Sequence, residues 1–155
     1  MNQIPSFGLP LRMLFCTDFS PGASQAFDFA IATVRNTPGA QLHLLHVIPE
    51  TDAQFWKSYI YEVDRVDAQA KHDIHCMIRD AYLSRVPSGI EVKVELRIGK
   101  AAEKILEVAA QKQVTMILLG RESAGGLSAA LFGNVVEKVV RKAHCPVLVI
   151  PAVAG

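Results

Sequence analysis

The sequence has little with which to cross-link itself. Its three cysteines, Cys16, Cys76 and Cys145, are odd in number and form no Cys-x-x-Cys pair. A disulfide framework is not expected, and a reducing compartment is. No apolar run reaches the roughly 20 residues that span a bilayer. Met1 to Pro5 lack the basic start and apolar stretch of a signal peptide. The cytoplasm is therefore the expected address. Charge of neither sign dominates: the formal net charge is +1. That balance offers no electrostatic footprint for nucleic acid or for a membrane surface. There is no internal repeat, low-complexity tract or interdomain linker. A chain of 155 residues reads as one domain covering residues 1–155. At this length roughly two-thirds of the unfolded surface can be buried without metals or disulfides.

Several catalytic signatures are missing too. There is no Gly-x-Ser-x-Gly elbow, no Gly-Lys-Ser/Thr of a Walker loop, and no Gly-x-Gly-x-x-Gly. No nucleophile, base and acid set is visible. An enzyme is not expected, beyond at most weak hydrolysis of a bound nucleotide.

What is present is a regular alternation. Leu11 to Thr17 is a short apolar run that stops at Asp18-Phe19-Ser20-Pro21. A serine followed by proline starts a helix well, because the serine oxygen caps free N–H groups and proline suits the first turn. Ala23, Ala26, Phe27, Ala30, Ile31 and Val34 then recur at helical spacing. Leu42 to Ile48 is a second strand, ending at Pro49. Residues 50–60 are ambiguous. A long helix is expected from about Glu62 to Arg85. Ile90, Val92, Val94 and Leu96 alternate with polar residues, which marks a strand with one wet face near a sheet edge. Ala102, Ile105, Leu106, Val108 and Ala109 form a third helical stripe. Val114 to Leu119 is almost wholly apolar, as in a central strand covered on both faces. Val135, Val136, Val139, Val140 and Ala143 form a fourth stripe, and Pro146 to Pro151 is the last strand. Strands alternating with helices predict an α/β fold, a doubly wound parallel sheet in three layers.

In such folds ligands bind beyond the carboxyl ends of the strands, where the winding direction reverses. Asp18 and the segment Gly120 to Asn134 are predicted to face each other there. Glycines at 120, 125, 126 and 133 let backbone N–H groups approach a phosphate. A helix opening at Gly133-Asn134 would aim further free N–H groups at it. The competing reading of this segment is a plain surface loop.

The chain resembles the universal stress protein family. The residues that carry the likeness are Leu11 to Ser20, Leu44-Leu45-His46-Val47, Gly99 with the helix after it, Leu118-Leu119-Gly120, and Cys145 to Ile150. They occur in order over nearly the whole chain. The resemblance implies a five-stranded Rossmann-like sheet of order 3-2-1-4-5, of the adenine nucleotide alpha hydrolase-like kind, and a dimer. One branch of the family binds ATP through Gly-x2-Gly-x9-Gly-Ser/Thr. Gly120 and Gly133 match its first and third glycines at the family spacing. Ser123 stands at the second glycine and Asn134 at the Ser/Thr. A serine resists the positive φ that glycine accepts. An asparagine amide can still donate to a phosphate oxygen. Asp18 matches the acidic residue on the ribose and adenine side, and Val47 a residue whose backbone meets adenine. The implied site is thus Asp18, Val47, Gly120, Ser123, Gly133 and Asn134, with ATP as its ligand and magnesium left open.

Other candidates weigh less. His72, His75 and Cys76 share a helix face, with no fourth zinc ligand evident. His43 and His46, three apart on a strand, point to opposite faces. Cys16 reads as an inert core thiol, and Cys145, near Lys142 and His144, as a candidate reactive one. Asp64 and Asp67 read as a solvated helix face. The last strand is too apolar for a bare edge, so pairing with a twofold-related copy through residues 146–152 is expected. Three functions compete. The first is a nucleotide-binding stress-response regulator. The second is a dimeric interaction protein of the same family that binds no nucleotide. The third, a nucleotidyl transferase, would need a His-x-Gly-His-like motif, which is absent.

Overall fold

The computed structural model describes residues 10–50, 63–121 and 127–152, with residues 63–67 and 127–133 described by backbone alone. The first apolar run forms β1 (Arg12–Thr17), and the Ser20-Pro21 signal opens α1 (Pro21–Arg35). Ser20 accepts a hydrogen bond from the Ala23 N–H at 3.2 Å, so the predicted cap is formed. Next come β2 (Gln41–Ile48), α2 (Val63–Ala81), β3 (Val92–Ile98), α3 (Ala101–Gln111), β4 (Met116–Arg121), α4 (Leu127–Lys142) and β5 (Val147–Pro151).

The five strands form one sheet in the order β3-β2-β1-β4-β5, and every neighbouring pair is parallel. This is the expected order, with the winding reversing between β1 and β4. Successive side chains alternate between the faces. Met13 and Phe15 join Leu42, Leu44, Ala23, Ala26, Phe27, Ile78 and Tyr82 on the first face. Leu14 and Cys16 join Leu45, Ile105, Val108, Ile117, Leu119 and Val139 on the second. Each large side chain buried in this way contributes about 1.5–3 kcal/mol of transfer free energy. β3 lies at one edge, as its alternation predicts. Its polar side is partly covered: Glu95 pairs with Arg97 at 2.9 Å and with Lys112, just past α3, at 3.7 Å.

Two helix boundaries differ from the sequence expectation. The helix expected to run to Arg85 stops at Ala81, and a single 3-10 turn, Leu83–Arg85, follows. Tyr82 is 1% exposed and sits in the first core, so the chain breaks helical course to seat that ring. The second difference is the start of α4. A helix opening at Gly133-Asn134 was expected, from a glycine followed by a good cap. The helix instead begins at Leu127 and runs through both residues. Leucine and alanine upstream favour helix strongly enough to absorb one interior glycine, a cost of about 1 kcal/mol.

Candidate functional site

The carboxyl ends of β1, β2 and β4 stand side by side where the winding reverses, the place where open α/β sheets leave a notch for ligands. Pairing of β1 with β2 ends at Thr17 opposite His46. Asp18 and Val47 are therefore the next residues on each strand, and they leave the β1–β2 ladder at the same level. On the other side, β1 pairs with β4 up to Cys16 opposite Leu119, so Gly120 comes level with Thr17. Three of the six expected site residues, Asp18, Val47 and Gly120, are thus brought to one end of the sheet at its switch point. Ser123 lies outside the described residues. Gly133 and Asn134 lie past the first turn of α4. There the Asn134 N–H belongs to the helix ladder and is not one of the free amides of a helix opening.

Asp18 is exposed, and its carboxylate accepts the Ser20 N–H at 2.9 Å. That bond makes it a turn former. Phe19 follows with a φ of 63°, a left-handed conformation that a bulky residue rarely adopts. The turn is held from below. The Phe19 N–H donates to the Thr17 hydroxyl at 2.9 Å, and that hydroxyl also bonds the Tyr82 hydroxyl. The Thr17 carbonyl accepts from His46 Nδ1 at 2.8 Å. A carbonyl can only accept, so Nδ1 carries a proton. The Phe19 ring lies 4.7 Å from the His46 ring and stacks 6.0 Å from Tyr82. Tyr82 meets Phe15 and Phe27 edge-on at 5.5 and 4.9 Å, and the Arg85 guanidinium lies over both Phe27 and Tyr82.

Burial sets the proton affinities here. It lowers His46 from its ordinary value, against opposing pulls from the Thr17 carbonyl and the Asp18 charge. It raises the Tyr82 hydroxyl, with the Thr17 hydrogen bond pulling back. Sequence reading placed His46 on its own face of the strand but did not single out Thr17, Phe19 or Tyr82. The available signal was a tyrosine at the end of a helical stripe, where a core aromatic can end the helix.

Gly120 has a packing duty the sequence did not reveal. A Cβ there would lie 2.4 Å from the Gly22 carbonyl oxygen and 2.7 Å from the Ala23 nitrogen. The first turn of α1 rests directly on this strand end, and only glycine leaves it room.

The remaining candidates are dispersed. Cys76 Sγ lies 3.6 Å from His72 Nε2 on the outside of α2. Among the described residues no group of three or more His, Cys, Asp or Glu side chains could hold a metal ion. Cys16 is buried, and burial pushes its thiol far up. Cys145 is half-buried and its thiol is also raised, which opposes the reactive reading. Asp64 and Asp67 fall where side chains are not described. Among the described residues one cavity of about 540 Å³ opens between Arg35, Gln41, Gly89 and Lys93, at the amino end of the sheet. Another of about 480 Å³ lies between the ends of α3 and α4, against Ile117 and Cys145. No helix among the described residues is long and apolar enough to cross a membrane.

The model of the universal stress protein family matches residues 11–151. The chain belongs to the universal stress protein family. Among curated family members, YxiE of Bacillus subtilis is 26% identical over 145 residues, 90% of this chain and 97% of YxiE. Solved structures share the fold. MJ0577 of Methanocaldococcus jannaschii superposes with a TM-score of 0.72 at 22% identity, covering 94% of this chain and 98% of its own. A universal stress family protein of Arabidopsis thaliana, solved with AMP bound, superposes at 0.57 with 17% identity, covering 94% of each chain.

Proposed function

We propose that this universal stress protein is an adenine-nucleotide-binding regulator rather than an enzyme. The observation that carries the reading is the switch point, where Asp18 and Val47 leave their strands at one level and Gly120, on the third adjacent strand, stands one residue back opposite Thr17. Solved relatives support the ligand class. They hold AMP in the Arabidopsis protein, dAMP in one from Archaeoglobus fulgidus, and cAMP in a third. ATP is the finer proposal: adenine and ribose between Val47 and Asp18, phosphates toward the segment from Gly120 through Ser123 to Gly133 and Asn134. A homodimer closed through β5, whose Val147–Ile150 run is apolar, completes the reading.

The second reading, a family member that binds no nucleotide, is favoured by particular residues. Ser123 and Asn134 replace two of the four motif positions, and Asn134 sits inside α4, where its N–H is already used. One experiment separates the two. Purified protein is denatured, the supernatant is assayed for released adenine nucleotide, and ATP and AMP are titrated calorimetrically into nucleotide-free protein. Released nucleotide or a saturable heat is the expected result. Neither signal would retire the nucleotide reading. Gly133→Val is expected to remove ATP binding, and unchanged affinity would move the phosphate site elsewhere. A strictly monomeric mass in light scattering at micromolar concentration would end the dimer proposal.

A further inference from the structure

We propose that His46 is a positioning residue for the nucleotide notch, setting where the Asp18 carboxylate and the Val47 backbone stand relative to each other; this rests on the nucleotide-binding reading above. The imidazole makes two contacts with the β1 exit. Nδ1–H donates to the Thr17 carbonyl at 2.8 Å, and the ring lies against Phe19 at 4.7 Å. Thr17 precedes Asp18 and Phe19 follows it, so one side chain braces both neighbours of the carboxylate. His46 itself precedes Val47, so the same side chain links the two strands at the level of the notch.

The turn needs such a brace. Phe19 is held at a φ of 63°, which persists in a bulky residue only when its surroundings over-determine it. Were left-handed backbone the only requirement, glycine or asparagine would serve better. The Phe19 ring is what His46 and Tyr82 grip. Asp18 remains exposed while both of its neighbours are packed. Its carboxylate is thereby presented outward, with one oxygen on the Ser20 N–H. Among the ionisable groups, Asp18, from the turn, acts on His46, and Asp18 and Arg85, from the 3-10 segment, act on Tyr82, which grips the other side of Phe19. β3 presents Leu96 opposite His46. The neutral Nδ1–H form suits this half-buried, aromatic setting.

The test compares three replacements of His46 in the full chain. Asparagine can place an N–H near the position of Nδ1, glutamine places it one atom further out, and leucine has none. AMP and ATP affinities are measured by calorimetry, and the Phe19 and Ser20 amide resonances are followed in nucleotide-free protein. His46→Leu is expected to weaken binding about tenfold, the scale of one lost hydrogen bond, and to shift both amides. His46→Asn is expected to restore most of the affinity, and His46→Gln little of it. Wild-type affinity in His46→Leu, or equal loss in the asparagine and glutamine variants, would overturn the proposal. Should His46→Leu fail to fold, Phe19→Gly removes the ring from the other side. It is expected to speed amide exchange at Ser20, and unchanged exchange would count against the brace. If the wild-type protein binds neither nucleotide, the nucleotide reading fails. The amide measurements then decide the brace alone: unmoved Phe19 and Ser20 signals in His46→Leu overturn it.

Discussion

The two faces of the sheet are covered by different kinds of side chain. On the first face Phe15, Phe27 and Tyr82 interlock at ring distances of 4.9–5.5 Å. Phe19 and His46 continue the stack to the notch. On the second face the buried core is aliphatic, from Leu14, Leu45, Ile105, Val108, Leu119 and Val139. Aliphatic side chains fill space and tolerate exchange for others of like volume. Aromatic rings with hydroxyl and imidazole handles also fix direction. The first face therefore both stabilises the fold and aims the Asp18 turn, whereas the second mainly stabilises.

That contrast can be broken by truncating one residue on each face. Phe27→Ala is expected to cost about 3–5 kcal/mol and Ile105→Ala about 2–5 kcal/mol, read by urea unfolding. Stability alone does not separate the faces. The sharper readout is the Phe19 and Ser20 amide shifts, which are expected to move in Phe27→Ala and to stay in Ile105→Ala. Equal movement in both would mean that the aromatic face has no special hold on the turn.

Gly120→Ala tests the first face where the sheet meets the opening of α1. Its Cβ would overlap the Gly22 carbonyl, so a loss of about 1–3 kcal/mol is expected in the same assay. Tyr82→Phe is the smaller test. It removes one hydroxyl from Thr17 and leaves the ring stack, for an expected loss of about 1 kcal/mol. A loss above the Phe27→Ala value would show that the hydroxyl pair, and not the rings, carries this face.

Each face also holds one histidine with a lowered pKa, which gives the mildest test. His43 is lowered by burial first, then by Lys93 and Lys112. His46 is lowered by burial. A histidine whose folded pKa lies below its unfolded value is protonated first in the unfolded chain. Its stabilising effect is present above the ordinary value of 6.5 and is lost as pH falls through the folded value. The urea midpoint is expected to fall between about pH 7 and pH 5. His43→Gln and His46→Asn should each flatten part of that slope, and no change in slope for either would locate the dependence elsewhere.

Much of the fold was legible because hydrophobic period and burial coincide. The alternation of Val92, Val94 and Leu96 announced an edge strand, and the unbroken Val114 to Leu119 run a central one. Ser20-Pro21 marked the start of α1 because a cap is a local interaction. Strand order was not local information; it came from the resemblance to a family. What stayed hidden depended on distant partners. Tyr82 ends a helical stripe for the sake of Thr17, which is remote in sequence. The beginning of α4 was misplaced because Gly133-Asn134 has the form of a cap, while the helical preference of the residues upstream prevails. At the candidate site, Asp18 and Gly120 followed from the topology of strand ends and Val47 from the family resemblance, whereas the brace beneath them was not legible.

Gly120 has a consequence for how family motifs are read. A protein of this fold that gave up its nucleotide would still keep glycine at this position, because the opening turn of α1 has nowhere else to lie. The first glycine of a phosphate signature is then a marker of architecture. Its presence carries little diagnostic weight for ligand, and the discriminating information moves to the other positions of the signature.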